Sequence, residues 1–242
     1  MPRGQPDFGV YAVKETVSGL ADSGELAARL GSIVTYDRRG DVVWFDDFQG
    51  DLAAWHLGRG GTGADAYITA DYAKRGAFCC KMISGANDGG YMAITHYGGG
   101  LVFSKLGVEI SFTLNIFTTE LRVPFIYYSG TNWYDAAIRL YPVDREIKYK
   151  GNDNLFHSFA TLTKIHTSSY VFHTLKYVLD LPNGKYNRVL LDNVVYDLSD
   201  IALKIRTSDT FPYHTFNILA MTAEDTNKTS YVADAIITQN EP

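Results

Sequence analysis

The sequence predicts an all-β protein: an antiparallel β-sandwich over residues 41–242, preceded by an extended N-terminal arm with one short helix over residues 1–40. Three observations carry this. From Asp41 onward, about a dozen short segments follow one another, punctuated by Gly, Asn and Asp, the pattern of a sandwich or barrel. Aromatic residues make up 14% of the chain, including 17 Tyr and 13 Phe, and such side chains pack well on a pleated surface. Finally, Val108, Ile110, Phe112, Leu114 and Ile116 alternate with Glu109, Ser111, Thr113 and Asn115, a clean period of two.

The elements follow in order. Glu25 to Leu30 (ELAARL) reads as a helix, with Ser23 as N-cap and Gly31 as its stop. Leu26 and Leu30 are expected one turn apart on one side, with Leu20, just before the cap, expected to pack beside them. With Phe8 and Tyr11 these residues are the apolar anchors of an arm expected to dock on its own domain or on a neighbouring subunit. The strands expected next are DVVWFDDF, FCCKMI, GYMAIT, GVEISFTLNIF, ELRVPFIYYSG, YDAAIRLYP and REIKYKG. Pro124 has no N–H and predicts an edge or a bulge. In FHTLKYVLDLPNGKYNRVLLDNVVYDL the pair Asn183-Gly184 suits a turn that needs positive φ. Asp192 to Val195 supplies a second turn, giving a three-stranded meander. PYHTFNILAMTA and SYVADAIITQ close the series, and the glycine-rich Gly58 to Gly63 reads as a flexible loop.

Composition excludes several roles. The net charge is −5 with no run of Lys and Arg, so the concentrated basic surface of a nucleic-acid binder is not expected. No apolar run reaches the roughly 18–20 residues of a membrane span. The opening MPRGQPDFGVYAVKETVSG lacks the apolar stretch and cleavage site of a secretory signal. The chain is therefore expected to stay in the cytoplasm where it is made, or to leave by a route other than cleavage. Cys79 and Cys80 are adjacent, point to opposite faces of a strand, and are expected to be reduced, one inside and one outside.

Catalytic patterns are not visible. Asp46 and Asp47 are adjacent and face apart, no strand carries the paired carboxylates of a glycosidase, and no nucleophile elbow or zinc spacing involves the six histidines. His173 shares the face of Leu175 and reads as structural. The chain is expected not to be an enzyme. One stretch suits sugar binding: Tyr128, Trp133 and Tyr134 offer planar aromatics around a loop, with Asn132 and Asp135 available for hydroxyls.

Phe172-His-x-Leu-Lys176, then Asp180, Asn183-Gly-Lys-Tyr186 and Val195-Tyr-Asp-Leu198, resembles the segment shared by laminin-G and concanavalin-like jelly-roll domains. Phe45 to Phe48 (FDDF) and Tyr231 to Ile237 (YVADAII) resemble the first and last strands of jelly-roll carbohydrate-binding modules. The resemblance covers about residues 41–238. It implies a jelly-roll sandwich, and, by analogy with jelly rolls whose terminal strands share a hard cation, it makes Asp46, Asp47 and Asp234 a candidate calcium site. The first 50 residues or so resemble the start of uncharacterised bacteriophage virion proteins. That likeness implies a non-enzymatic virion surface component on a head, tail or fibre. It would be assembled in the host cytoplasm as a homo-oligomer, or with other virion proteins, through its arm. The alternative is a carbohydrate-binding or adhesion module for a cell-surface glycan.

Overall fold

The computed structural model describes residues 40–242, except 75, 115–119, 163–164, 169 and 223–225. The arm anchors Phe8, Tyr11, Leu20, Leu26 and Leu30, the short helix and Ile116 lie outside the described residues.

The described chain forms sixteen strands. They are β1 (Asp41–Asp46), β2 (His56–Gly60), β3 (Asp65–Thr69), β4 (Cys79–Ile83), β5 (Tyr91–Gly99) and β6 (Lys105–Phe112). Next come β7 (Glu120–Tyr128), β8 (Asn132–Tyr141), β9 (Glu146–Lys150), β10 (Phe156–Thr161) and β11 (His173–Asp180). The last are β12 (Lys185–Leu191), β13 (Val194–Asp197), β14 (Lys204–Thr207), β15 (Tyr213–Met221) and β16 (Thr229–Gln239). They build two eight-stranded antiparallel sheets. The back sheet runs β13-β12-β11-β6-β16-β4-β3, with β1 also on β16; the front sheet runs β10-β9-β8-β7-β15-β5-β2, with β14 also on β8.

Alternation on the strands sets the core between the sheets. Val108, Ile110, Phe112, Leu175, Tyr177 and Leu179 from the back sheet meet Leu121, Val123, Phe125, Ile138, Phe216 and Ile218 from the front. Two buried tyrosines tie the layers together. The Tyr177 hydroxyl donates to the Val123 carbonyl at 3.0 Å, and the Tyr186 hydroxyl donates to the Lys150 carbonyl at 2.9 Å and accepts the Ala137 N–H at 3.1 Å. A tyrosine body fills the apolar layer while its tip satisfies backbone groups of the opposite sheet.

The predicted meander is present as β11-β12-β13, with Gly184 at φ +63 and Asp192 at φ +52 in its two turns. Its alternation is shifted by a bulge between Val178 and Leu179, where the partner strand skips Asn187. Tyr186, Val189 and Leu191 therefore all reach the core.

Three expectations need correction. Pro124 sits in β7, an interior strand between β8 and β15. Its missing N–H affects one side only: it pairs with Ala137, while the β15 ladder skips from Phe216 to Leu219 around it. The glycine-rich segment is no simple loop, because Gly58 and Gly60 lie in β2, and a side chain at Gly60 would strike the Tyr91 ring that covers it. Both cysteines are reduced and on opposite faces, but both are buried. Cys80 joins the main core, whereas Cys79 packs outside the back sheet with Tyr231, Ala233, Tyr72 and Phe172.

The two outer faces differ. On the back sheet Glu109, Ser111, Thr174, Lys176 and Asp234 are all buried, whereas the outward residues of β15 on the front sheet are half-exposed from Tyr213 to Met221. Along the central strands the front sheet is therefore the more accessible of the two.

Candidate functional site

Register maps this face into rows that cross the strands. One row runs Arg206, Trp133, Tyr128, Tyr213 over β14, β8, β7 and β15. Its rings are nearly parallel: Tyr128 and Tyr213 are stacked at 4.3 Å and 9°, and Trp133 stands 6.1 Å from Tyr128 at 8°. The Arg206 guanidinium covers the outer face of the row, 5.1 Å from the Trp133 centroid, and Phe211 flanks Tyr213 at the other end at 5.4 Å. Each ring thus turns its faces toward neighbours in the row rather than outward. What the row presents is ring edges, two phenol hydroxyls and a cation, and the edge of an aromatic ring carries the positive part of its quadrupole.

A second row runs Lys148, Arg139, Arg122 over β9, β8 and β7. Arg122 and Arg139 share the single carboxylate of Glu120, at 2.5 and 3.1 Å. The Arg139 guanidinium lies 3.2 Å above the Phe156 ring of β10, and Lys148 pairs with Glu146 at 2.6 Å. Burial holds the Arg139 guanidinium below the usual arginine range, opposed by Tyr141 and Glu120.

Between the rows the short side chains of Ala137 and Pro124 make a low strip, the basin, bordered by charged groups. Asp135 is buried on β8, opposite Lys204 in register, and its carboxylate takes the Lys150 ammonium at 2.5 Å. The Lys204 ammonium donates to the Asn154 side chain at 2.5 Å and stands 5.8 Å from the Trp133 ring. Burial, then the neighbouring cations Lys150 and Arg206, hold Lys204 below the usual lysine range.

The outward positions of the front-sheet strands thus carry six cations (Arg122, Arg139, Lys148, Lys150, Lys204, Arg206) and three carboxylates (Glu120, Asp135, Glu146), six minus three leaving +3. The whole chain is −5. A positive face on an acidic protein focuses the field locally. Each segment showed only one or two cations, so no cluster was visible in sequence; the signal was their shared parity in ELRVP, AAIRLY, EIKYK and LKIRT.

The sequence-predicted sugar residues separate. Tyr128 and Trp133 belong to the stacked row, but their neighbour stacking removes the open ring faces expected of them. Tyr134 faces the other way, buried beside Phe103 and Tyr127 at 5.7 and 6.1 Å between ring centroids; adjacent strand residues point to opposite faces. The calcium candidates do not converge. Asp46 turns inward and accepts the Trp55 indole N–H at 2.7 Å, Asp47 is exposed beyond β1, and Asp234 is buried opposite Ser111 on the outer side of the back sheet. Among the described residues no group of three or more His, Cys, Asp or Glu is placed to hold a metal, and no helix is long and apolar enough to cross a membrane. His173 is structural: its imidazole joins Asp192 at 2.8 Å and the His166 backbone at 3.0 Å.

No protein-family model matches the sequence, and no curated protein is significantly similar to it. Solved structures are similar in fold. An endo-β-1,4-glucuronan lyase from the fungus Trichoderma reesei superposes with a TM-score of 0.59 at 12% identity, over 82% of this chain and 96% of that one. An alginate lyase from a Chlorella virus gives 0.54 at 13%, over 82% and 99%. A Bacillus subtilis protein of unknown function with a galectin-like fold gives 0.51 at 9%, over 82% and 96%. At identities this low the likeness shows the fold alone: the chain is a jelly-roll β-sandwich.

Proposed function

We propose that the protein binds carbohydrate on the outer face of the front sheet, without performing chemistry on it. The observation that carries this reading is a set of accessible side chains on one sheet face: Arg122, Tyr128, Trp133, Arg139, Lys148, Lys150 and Tyr213 are half-exposed and Arg206 is exposed, presenting cations, phenol hydroxyls and aromatic edges together. Two proteins of similar fold, the glucuronan lyase and the alginate lyase, are by name enzymes of polysaccharides, which supports a glycan as the ligand class. Catalysis is not proposed, because Glu120, Asp135 and Glu146 are each held by cations. Glu120 also lies six residues along β7 from Ile126, the partner of Asp135, farther than the roughly 5–9.5 Å between the carboxylates of a retaining or inverting glycosidase. A place on a virion surface is compatible with glycan binding, but rests on the likeness of residues 1 to about 50 and has no support among the similar structures.

The test is retention of the full chain on immobilised polysaccharides of varied composition, with product analysis of the soluble fraction. Binding without new chain ends, weakened at least tenfold by Arg139→Gln with Arg206→Gln, is expected. No retention on any polysaccharide would overturn the reading.

A further inference from the structure

Resting on that reading, we infer that the ligand is a polyanionic glycan whose acid groups, carboxylate or sulfate, dock at two basic sites on the front sheet. The first is the Lys150–Lys204–Arg206 basin. Its three cations face one carboxylate, Asp135, leaving an excess of two positive charges. The second is the Arg122–Arg139 pair, which shares Glu120 and leaves an excess of one. Lys148 is balanced by Glu146 and adds nothing.

The chemistry of both sites suits oxyanions. Guanidinium groups donate in a planar fork that matches carboxylate or sulfate. Arg206 and Lys204 are presented beside the Trp133–Tyr128–Tyr213 stack, whose positive ring edges also favour negative charge. The indole N–H of Trp133, on the ring that both cations flank, is buried and has no acceptor among the described residues. A neutral sugar would gain little here, because the rings turn their faces along the row rather than outward, and the excess cations would lose water without a counter-charge.

The spacing selects a polymer. Asp135 and Arg139 are four residues apart on β8, about 13 Å at the rise of a strand, with only Ala137 between them on that face. One monosaccharide acid group fills one site, whereas a chain engages both, and the second contact then forms at high effective concentration. Lys81, on the back sheet with Asp71 at 2.8 Å, belongs to neither site.

The experiment uses the full chain with four probes: polygalacturonate, the same polymer fully methyl-esterified, a neutral β-glucan and monomeric galacturonate. Titration calorimetry at low and at 0.3 M salt is expected to show binding of the acid polymer alone, weakened more than tenfold by salt. Arg206→Gln should weaken it about tenfold and Lys81→Gln should leave it unchanged. Asp135→Asn removes the one carboxylate of the basin and should tighten binding severalfold, a gain that a misfolded variant cannot imitate. If the esterified polymer or the glucan binds as well as the acid polymer, or if Asp135→Asn weakens binding in a variant with an unchanged melt, the acid-group inference fails while glycan binding stands. If the monomer binds as tightly as the polymer, the two-site geometry fails. If no probe and no other polysaccharide binds, both readings fail.

Discussion

Glu241 and Lys176 form an ion pair of 2.7 Å on the outer face of the back sheet, with 0% and 2% of their side chains exposed. The other Glu241 oxygen takes Arg188 at 2.9 Å, and the Thr238 hydroxyl donates to the first at 2.6 Å. Space for this carboxylate comes from Gly107 and Gly40, where an added Cβ would lie 2.7 and 2.6 Å from Glu241 Oε1. Removing one partner of a buried ion pair costs about 3 kcal/mol or more. Glu241→Ala is therefore expected to lose about 3 kcal/mol in urea denaturation, and about 6–12 °C in melting temperature for a chain of this size. Glu241→Gln, which keeps the shape and one acceptor, should lose about half of that. A wild-type melt for Glu241→Ala would show that the pair contributes nothing.

Acid weakens the fold through His214. Burial pushes its imidazole down to about 4, helped by the nearby His96, while its bond to the Gly99 carbonyl at 2.8 Å opposes the shift. Only an N–H can face a carbonyl, so Nδ1 carries the proton and Nε2 is buried without a hydrogen-bond partner among the described residues. Because the folded pKa lies below the unfolded value near 6.5, the unfolded chain takes up the proton first. Stability contributed by His214 is then complete above about pH 6.5 and lost as pH falls toward 4. The size is about 3 kcal/mol at 1.36 kcal/mol per pKa unit. Burial also lowers His96 and adds in the same direction. Urea midpoints between pH 4 and 7 should fall with acid, and His214→Gln should flatten that slope even if it is less stable at pH 7. An equal slope in the variant would assign the effect elsewhere.

Tyr186 links the core to the basin. Its hydroxyl satisfies the Lys150 carbonyl and the Ala137 N–H directly beneath the charged groups. Tyr186→Phe leaves both backbone groups without this partner, expected to cost about 1–3 kcal/mol. Hydrogen exchange should rise at Ala137 and its neighbours in β8 and β9 more than in the meander. Uniform exchange across both sheets would mean that the bond does not hold the basin in place.

Much of the scaffold was legible because strand alternation is local. Val108, Ile110 and Phe112 face the core as their spacing predicts, and Asn183-Gly184 turns where its backbone chemistry requires. Pairing order is not local, which is why the basin was not legible. Lys150, Lys204 and Arg206 are brought together only because β9 and β14 both pair with β8. Trp133 was visible as an aromatic near a loop, but its role reversed once Tyr128 was found stacked on one side of it and Arg206 on the other.

That reversal is open to a direct test. If Trp133 acts by supporting Arg206, its removal and that of Arg206 disable one unit, so their effects on acid-polymer binding overlap. A cation over an aromatic face is worth about 0.5–2 kcal/mol, hence a loss of roughly twofold to thirtyfold. Trp133→Ala and Arg206→Gln should each fall in this range, and the double variant should be little weaker than either, a large coupling energy between residues in contact. Trp133→Phe keeps a leaf in the stack and should retain most of the affinity. A sugar stacking on the indole itself would give a different pattern: losses that multiply in the double variant, and Arg206→Gln uncovering a ring face for neutral glucans. Additive losses with new neutral-glucan binding would return Trp133 to the role of a stacking platform.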